Sequence, residues 1–176
     1  GMLTRAGVAF NDLGVVPDDR EQIQSTFFRA ASMADVVITS AGASVGDADY
    51  VKEVLDDIGE VDFWKIAMKP GRPLSFGRIG ESLFFGLPGN PVSVMVTFYQ
   101  FVLPALKRLS GEIAWKPLRL TARATDKLKK RPGRTEFQRG VLSQGESGAL
   151  VVSTTGEQGS GILSSMSQAN CFVILP

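Results

Sequence analysis

The stretch "FFGLPGNPVSVMVTFYQF", residues 84–101, joins two apolar runs through one tight turn. That turn, residues 86–91, contains two glycines, two prolines and one asparagine. Asparagine is a strong helix N-cap, and proline is favoured at the first helical position, where its missing N–H costs nothing. The stretch therefore predicts a strand that ends at the turn and a helix that begins at Pro91, with Asn90 as its N-cap.

The first turn of this helix is a candidate anion site. We expect the backbone amides of Val92, Ser93 and Val94, in the first turn of this helix, to be free. They would point back over the turn, together with the positive end of the helix dipole. The alternative is that residues 86–91 serve only as a stiff connection between a strand and a helix.

A second loop that opens a helix lies upstream. The run "DVVITS", residues 35–40, is continuous and rich in β-branched residues, which is typical of a strand covered on both faces in a parallel sheet. The small residues of "AGASVGDAD", residues 41–49, follow, and residues 50–58 have helical spacing. In an open α/β sheet both loops would lie at the carboxyl ends of strands, where ligands bind.

Further elements of an α/β region surround these loops. Residues 8–13 form a short extended run, which predicts a strand, and a helix follows with Asp18 or Asp19 as its N-cap. Residues 60–73 alternate, which predicts a strand with Lys65 and Lys69 on one face, about 13 Å apart. The segment "PLSFGRIGESLFFG" predicts two strands joined by a short turn.

The helix that begins at Pro91 has an amphipathic pattern. Its apolar stripe consists of Val92, Met95, Val96, Tyr99, Val102, Leu103 and Leu106. The opposite, polar stripe consists of Ser93, Thr97, Gln100 and Lys107. We expect Pro104 to kink or end this helix, because proline lacks the N–H that a helix interior needs.

The pattern changes beyond residue 110. Residues 117–176 hold short alternating runs between glycine-rich turns, and only "GILSSMSQA" could supply a turn or two of helix. This change predicts an α/β domain of residues 1–112 followed by a small all-β domain of residues 113–176.

Composition limits the chemistry. The 176 residues include no histidine, which excludes a Ser-His-Asp triad, a Cys-His pair and any His-bearing zinc site supplied by this chain. Nineteen basic and eighteen acidic residues leave a net charge of +1, so no overall field favours nucleic acid. The one cysteine, Cys171, suits a reducing cytoplasm, and no secretory leader or membrane span is expected.

Charged side chains flank the predicted loops. Asp18 and Asp19 precede one helix, and Asp47 and Asp49 precede another. Each pair can serve as a helix cap, but beside an anion site they suit Mg²⁺, which takes one or two carboxylates plus substrate oxygens.

The basic residues Lys65, Lys69 and Arg72 are either solvated rim charges or a group that neutralises phosphate or another oxyanion. The residues alone thus predict a phosphate-bearing small ligand, a divalent metal and no imidazole chemistry.

Four segments resemble one known family, in order and across nearly the whole chain: "VITSAGASVGDADYVKEVL", "FWKIAMKPGRPLSFG", "GLPGNPVSVMVTFYQFVLPAL", and "GRTEFQRGVL" with "TTGEQGSGILSSMSQANCFVIL". The family is that of the molybdopterin molybdenumtransferases, to which the C-terminal part of gephyrin is related. The resemblance implies a three-layer α/β molybdopterin-binding domain with a mostly parallel sheet, lacking its first strand and helix. A C-terminal β-barrel domain would follow, lacking its last strand. The implied reaction inserts molybdate into adenylylated molybdopterin, with Mg²⁺-dependent release of AMP.

The resemblance also implies residue roles. The catalytic residues would be Asp18, Asp49, Lys65 and Lys69, of which Asp18 and Asp49 would bind the metal and the lysines would hold oxyanions. The substrate-binding residues would be Ser40, Gly42, Ser44, Gly46, Arg72, Pro88, Gly89, Asn90, Pro91 and Ser93.

Two departures from the family pattern stand out. Ala41 occupies a position where the family usually has glycine, and a positive φ there would strain the loop. The family's N-terminal domains are absent from these residues, so we expect a homodimer and activity only in a full-length protein.

The alternatives are a molybdopterin adenylyltransferase-like enzyme, a non-catalytic gephyrin-like scaffold, and a structural α/β domain whose two turns are incidental. The β-rich residues 117–176 count against the first, because that enzyme lacks such a tail.

Overall fold

The computed structural model describes residues 1–41 and 50–176. The helices are α1 (Met2–Ala6), α2 (Arg20–Met33), α3 (Tyr50–Ile58), α4 (Pro91–Thr97), α5 (Leu103–Leu109) and α6 (Ser164–Gln168), with a π-helical segment (Phe98–Val102) between α4 and α5. The strands are β1 (Val36–Ser40), β2 (Glu60–Lys65), β3 (Met68–Lys69), β4 (Pro73–Ile79), β5 (Ser82–Leu87), β6 (Arg123–Ala124), β7 (Thr135–Gln144), β8 (Leu150–Thr154) and β9 (Cys171–Leu175).

The first sheet has helices on both faces. Its strand order is β1-β5-β4-β2. On one face, Phe27 of α2 and Leu55 of α3 pack in a core with Phe84. On the other face, Val102 packs in a second core with Phe85. Burying each such side chain contributes about 2 kcal/mol. The predicted α/β class with three layers is confirmed.

The described part of this sheet is mixed in direction. β1 and β5 are parallel, with Ser40 opposite Leu87. β4 is antiparallel to both β5 and β2. The connection between β4 and β5 is only two residues long, and so short a link can join only antiparallel neighbours. The prediction of a mostly parallel sheet therefore holds for β1 and β5 alone.

The predicted start of α2 is confirmed, whereas the strand predicted before it is wrong. The Asp19 carboxylate accepts a hydrogen bond from the Gln22 amide at 2.9 Å, which makes Asp19 the N-cap. Residues 8–13 form no strand. There the Asp12 carboxylate accepts a hydrogen bond from the Gly14 amide, and this local turn competes with strand pairing.

The helical stretch that begins at Pro91 continues past Pro104 rather than ending there. The π-helical segment follows α4, and Pro104 is the second residue of α5. Proline is tolerated in the first turn of a helix because the N–H there needs no helical partner. No helix within the described residues is long and apolar enough to cross a membrane.

Both predicted stripes of this helical stretch are largely buried. Val92, Val96, Val102 and Leu106 are buried, as the apolar pattern predicts. Ser93 and Thr97 of the polar stripe are also buried. The Thr97 hydroxyl donates to the carbonyl of Ser93 at 2.8 Å, so its polar group is satisfied within the helix.

A second sheet contains most of the C-terminal region. Its order is β3-β7-β8-β6, with β9 on the other side of β7. This confirms the predicted change from α/β to β-rich structure, and α6 lies within the one predicted helical turn. The parallel partner of β7 is β3, so a strand from the first half of the chain joins the second sheet.

The position of β3 corrects the prediction for Lys65 and Lys69. Lys65 ends β2 in the first sheet, and Lys69 lies in β3 in the second sheet. Between them the Met68 amide donates to the carbonyl of Ile66 at 2.8 Å, which turns the chain. The alternating pattern of residues 60–73 therefore spans two strands rather than one, and the two lysines share no strand face.

Candidate functional site

One edge of the first sheet gathers several of the predicted site residues. Ser40, at the end of β1, lies opposite Leu87, at the end of β5. Lys65, at the end of β2, lies opposite Pro73, at the start of β4. Because β4 runs against both its neighbours, all four positions lie at the same edge of the sheet. In α/β folds, ligands bind at the carboxyl ends of parallel strands.

Two of the predicted loops leave this edge side by side. The Ala41 amide donates to the carbonyl of Leu87 at 3.0 Å. A Cβ atom added to Gly89 would lie 3.8 Å from the Cβ of Ala41. Ala41 has a φ of 90°, so the positive φ anticipated at this position is present. The first residue of the small-residue loop is thus beside the proline loop.

Four residues of the small-residue loop that are predicted to bind substrate or metal have no described position. Gly42, Ser44, Gly46 and Asp49 lie outside the described residues. Their substrate and metal roles stay predictions.

The loop between β3 and β4 packs against α4. A Cβ atom on Gly71 would lie 2.6 Å from Cγ2 of Thr97 and 3.6 Å from the carbonyl oxygen of Ser93. Gly71 also has a φ of 95°. Only glycine fits this position without strain. The contact holds the loop that carries Lys69 and Arg72 against α4.

The proline loop caps α4 more completely than its sequence indicates. The Asn90 side chain accepts a hydrogen bond from the Val92 amide at 3.2 Å, and the Asn90 carbonyl accepts one from the Val94 amide at 2.9 Å. Two of the three amides predicted to bind an anion therefore already have partners. Pro88 and Ser93 are buried, whereas Gly89 and Pro91 are exposed. The predicted amide cradle is wrong for Val92 and Val94.

Lys69 pairs with an acid from the second sheet. Its Nζ atom lies 3.3 Å from Oε1 of Glu136, which β3 and β7 place opposite each other. The two residues also line an open cleft of about 180 Å³, whose lining is completed by Lys129, Lys130 and Arg131. The described residues that line this cleft supply four cations and one carboxylate.

The surroundings of Glu136 favour its charged form. Burial opposes ionisation, but hydrogen bonds from Gln138 and Lys69, the charge of Lys69 and a backbone hydrogen bond from Arg131 together hold the pKa of Glu136 below its ordinary value. Glu136 is therefore a carboxylate at neutral pH and a lasting partner for the Lys69 ammonium.

Asp18 is not brought into contact with these groups. It lies exposed in the turn before α2, with no hydrogen bond or ion pair to the described residues. Within residues 1–41 and 50–176, no cluster of three or more Asp, Glu, Cys or His side chains could hold a metal ion. Asp18 thus offers one exposed carboxylate before a helix, with no partner among the residues that the structure describes.

Sequence reasoning missed Glu136 and Ser75. Glu136 could have been noticed, because strand alternation places it on the same face as Gln138, which donates to its Oε2 at 3.1 Å. Ser75 gave no such signal. Its hydroxyl is buried without a hydrogen-bond partner among the described residues, and a Cβ on Gly86 would lie only 2.0 Å from it.

The chemistry available at this edge is that of oxyanion binding. Lys65, Lys69 and Arg72 have exposed side chains around the two loops. Lysine and arginine bind phosphate and similar oxyanions through charge-assisted hydrogen bonds. No histidine exists to act as a general base.

Two family models match the chain. Residues 1–108, more than half of it, match "Probable molybdopterin binding domain". Residues 121–176 match "MoeA C-terminal region (domain IV)".

Curated relatives carry related names. The chain is 49% identical over 165 residues to a molybdopterin molybdenumtransferase of Haemophilus influenzae. The matched residues make up 93% of this chain and 41% of that protein. It is 35% identical over 189 aligned positions to gephyrin of Dictyostelium discoideum. This alignment covers 94% of this chain and 26% of that protein. The chain thus spans less than half the length of these relatives.

A solved structure has the same arrangement. The crystal structure of a molybdopterin biosynthesis moeA protein from Pyrococcus horikosii matches with a TM-score of 0.73 at 32% identity, over 93% of this chain and 38% of that chain. The fold, the two family models and these relatives agree. The chain therefore belongs to the molybdopterin molybdenumtransferase family, of which it contains the molybdopterin-binding domain and the C-terminal region.

Proposed function

We propose that the protein to which this chain belongs inserts molybdate into adenylylated molybdopterin and releases AMP, which completes the molybdenum cofactor. The names of the relatives support this activity. The observation that carries the proposal is the shared sheet edge at Ser40, Leu87, Pro73 and Lys65, beyond which Ala41 and Gly89 lie side by side. Because the chain covers 41% of one such relative, we propose that it is inactive alone.

In this proposal the loops bind the substrate and the cations bind its charged groups. Lys65 and Lys69 hold molybdate and phosphate oxygens, and Arg72 assists at the rim. The remaining proposed substrate contacts come from Ser40, Gly42, Ser44, Gly46, Pro88, Gly89, Asn90, Pro91 and Ser93. With the Val92 and Val94 amides already bonded, side chains and the exposed Gly89 backbone carry more of the binding than the helix start does.

Asp18 and Asp49 are the proposed magnesium ligands. The exposed carboxylate of Asp18 fits a hard cation, which takes one or two carboxylates and completes its shell with water and substrate oxygens. Bound Mg²⁺ would neutralise charge on the phosphate groups of the substrate. Asp18 and Asp49 would hold and orient the ion, while the lysines keep the oxyanions in place.

The proposal extends to assembly and location. We propose a cytoplasmic homodimer of the full-length protein that acts on small molecules, with no nucleic-acid or membrane partner. We also place the domain boundary between residues 112 and 113. One strand of the first domain, β3, nevertheless pairs with β7 of the second domain. The β-rich tail weighs against the alternative of an adenylyltransferase-like enzyme.

Molybdate dependence in the full-length enzyme tests the role of Lys69. We expect Lys69→Ala to raise the molybdate KM about tenfold or more, because a hydrogen bond to a charged group is worth about 1.5–3 kcal/mol. Lys107→Ala is the matched control, since Lys107 lies on α5 outside the site and pairs with Glu112. An unchanged molybdate KM for Lys69→Ala would argue against the role of this lysine.

Asp49→Asn tests the metal role in the same assay. We expect this variant to lose molybdate insertion at every Mg²⁺ concentration while its circular dichroism spectrum and unfolding midpoint stay at wild-type values. Wild-type turnover by the variant would defeat the assignment.

A further inference from the structure

Glu136 is a buried acid whose charged partner, Lys69, is exposed. Its side chain is 5% exposed, whereas that of Lys69 is 44% exposed. A buried carboxylate is costly unless it is paired. The pairing of β3 with β7 sets the two residues opposite each other, so the backbone rather than two flexible side chains defines their separation.

Gln138 fixes the orientation of this carboxylate. Its Nε2 atom donates to Oε2 of Glu136 at 3.1 Å and to the carbonyl of Lys129 at 2.7 Å. Oε2 is thereby held, and Oε1 is presented to Lys69. An ammonium group has three donors, so the Lys69 ammonium can bond Glu136 and still offer two donors to an anion.

The surrounding charges make this restraint necessary. The cleft beside Lys69 is also lined by Lys129, Lys130 and Arg131, and among the described residues that line it Glu136 is the single acid. Like charges repel the Lys69 ammonium, and a lysine side chain has about 2 kcal/mol of rotamer freedom with which to move away. Glu136 is the group that opposes both effects.

We propose that Glu136 is a positioning residue, whose buried carboxylate holds the Lys69 ammonium at the rim of the basic cleft, where it meets the incoming oxyanion. This inference rests on the proposed function of Lys69. It places a residue of the C-terminal region behind the oxyanion site. It also gives the parallel pairing of β3 with β7 a functional purpose, which is to align the acid with the lysine.

A double-mutant cycle in the full-length enzyme tests the inference. We expect Glu136→Gln to raise the molybdate KM about tenfold with the adenylylated molybdopterin KM unchanged, because a displaced binding group loses orientation. Glu136→Asp should restore part of the loss. In a Lys69→Ala background, Glu136→Gln should have no further effect. An equal effect in both backgrounds would show a merely structural role and overturn the inference.

The matched control is Glu112→Gln, which removes the carboxylate partner of Lys107 in an exposed pair. It should leave both KM values unchanged. The two proposals fail in distinguishable ways. If Lys69→Ala has a wild-type molybdate KM, the proposed function of Lys69 fails. If Lys69→Ala is impaired but Glu136→Gln is not, only the inference fails.

A measurement without turnover tests the pair directly in this chain and covers the case in which Glu136→Gln does not fold. The Glu136 carboxyl group is titrated by ¹³C NMR in the wild type and in Lys69→Met. We expect the pKa of Glu136 to rise when the lysine is removed, since its charge and hydrogen bond favour the carboxylate. An unchanged pKa would show that the pair does not exist in solution and would overturn the inference.

Discussion

Ala41 occupies a backbone conformation that alanine seldom adopts. Its φ is 90°, and its amide donates to the carbonyl of Leu87 at 3.0 Å. The parallel pairing of β1 with β5 thus holds the residue in a conformation natural to glycine. A residue held against its preference beside a predicted binding loop stores strain of about 1–3 kcal/mol.

We expect Ala41→Gly to raise the free energy of unfolding of this chain by about 1 kcal/mol. The relieved strain exceeds the 0.4–1 kcal/mol, roughly, that the extra freedom of glycine contributes to the unfolded state. Urea unfolding followed by tryptophan fluorescence measures the change. The matched control is Ala30→Gly within α2, which should lower the same free energy by about 1 kcal/mol. Equal losses in both variants would show that Ala41 is not strained.

At the residue scale, the sequence predicts groups whose partners are local. Asp19 and Asn90 are helix caps, as expected, because a cap bonds to amides two or three residues away. Glu136 was missed because its partner Lys69 is 67 residues distant, and only the pairing of strands brings them together. The same limit applies to Ser93, whose burial depends on the loop around Gly71.

Among the elements, the packing of the β3–β4 loop on α4 is the most demanding. Gly71 combines a φ of 95° with a Cβ position 2.6 Å from Cγ2 of Thr97. The loop carries Lys69 on one side of this contact and Arg72 on the other. Any side chain at residue 71 would therefore move two proposed oxyanion-binding residues away from α4.

We expect Gly71→Ala to lower the free energy of unfolding by about 3 kcal/mol, from backbone strain and steric overlap together. Thr97→Ser removes the opposing methyl group, keeps the hydroxyl and should cost about 1 kcal/mol alone. The double variant should lose at least about 1 kcal/mol less than the sum, because the overlap is gone.

Urea unfolding of all three variants measures this coupling. Gly161→Ala is the control, since its added Cβ meets no atom within 4 Å, and it should change stability by less than about 0.5 kcal/mol. Strict additivity of Gly71→Ala and Thr97→Ser would contradict the proposed contact.

Elements with strong local patterns are predictable, and those that depend on distant partners are not. The periodicity of residues 20–33 and the cap at Asn90 correctly indicate α2 and α4. β3 is two residues long and exists because β7 lies beside it, which no local pattern reveals. The π-helical segment before Pro104 is likewise not revealed by the local pattern, because a proline alone predicts only a kink or a break.

For the whole molecule, an apolar cluster joins α4 to the second sheet. Met68, Val92 and Val96 are buried together, and Phe137 and Phe172 from the second sheet pack against them. The rings of Tyr99 and Phe172 also lie 6.0 Å apart. The sequence predicts a change of structure near residues 110–117, but this cluster unites residues from both sides of that change. The proposed site depends on it, because Lys69 follows Met68 directly.

We therefore expect the two regions to unfold as one unit. Val152 is buried in the second sheet, and Val152→Ala should lower the opening free energy of the β7 amides by about 2 kcal/mol. If the regions are coupled, the β5 amides in the first sheet should lose the same amount. Native-state hydrogen exchange at the two strands measures both values.

The shared cluster should be what transmits this effect. Met68→Ala removes the side chain that contacts both regions, and in that background Val152→Ala should still weaken β7 but leave β5 unchanged. Leu55→Ala is the matched background, since Leu55 is equally buried in the first core, away from the cluster, and should preserve the coupling. If Val152→Ala leaves the opening free energy of the β5 amides unchanged in the otherwise wild-type chain, the two regions open independently. The second sheet would then not hold Lys69 in place through the cluster, and the pairing of Lys69 with Glu136 would have to fix it alone.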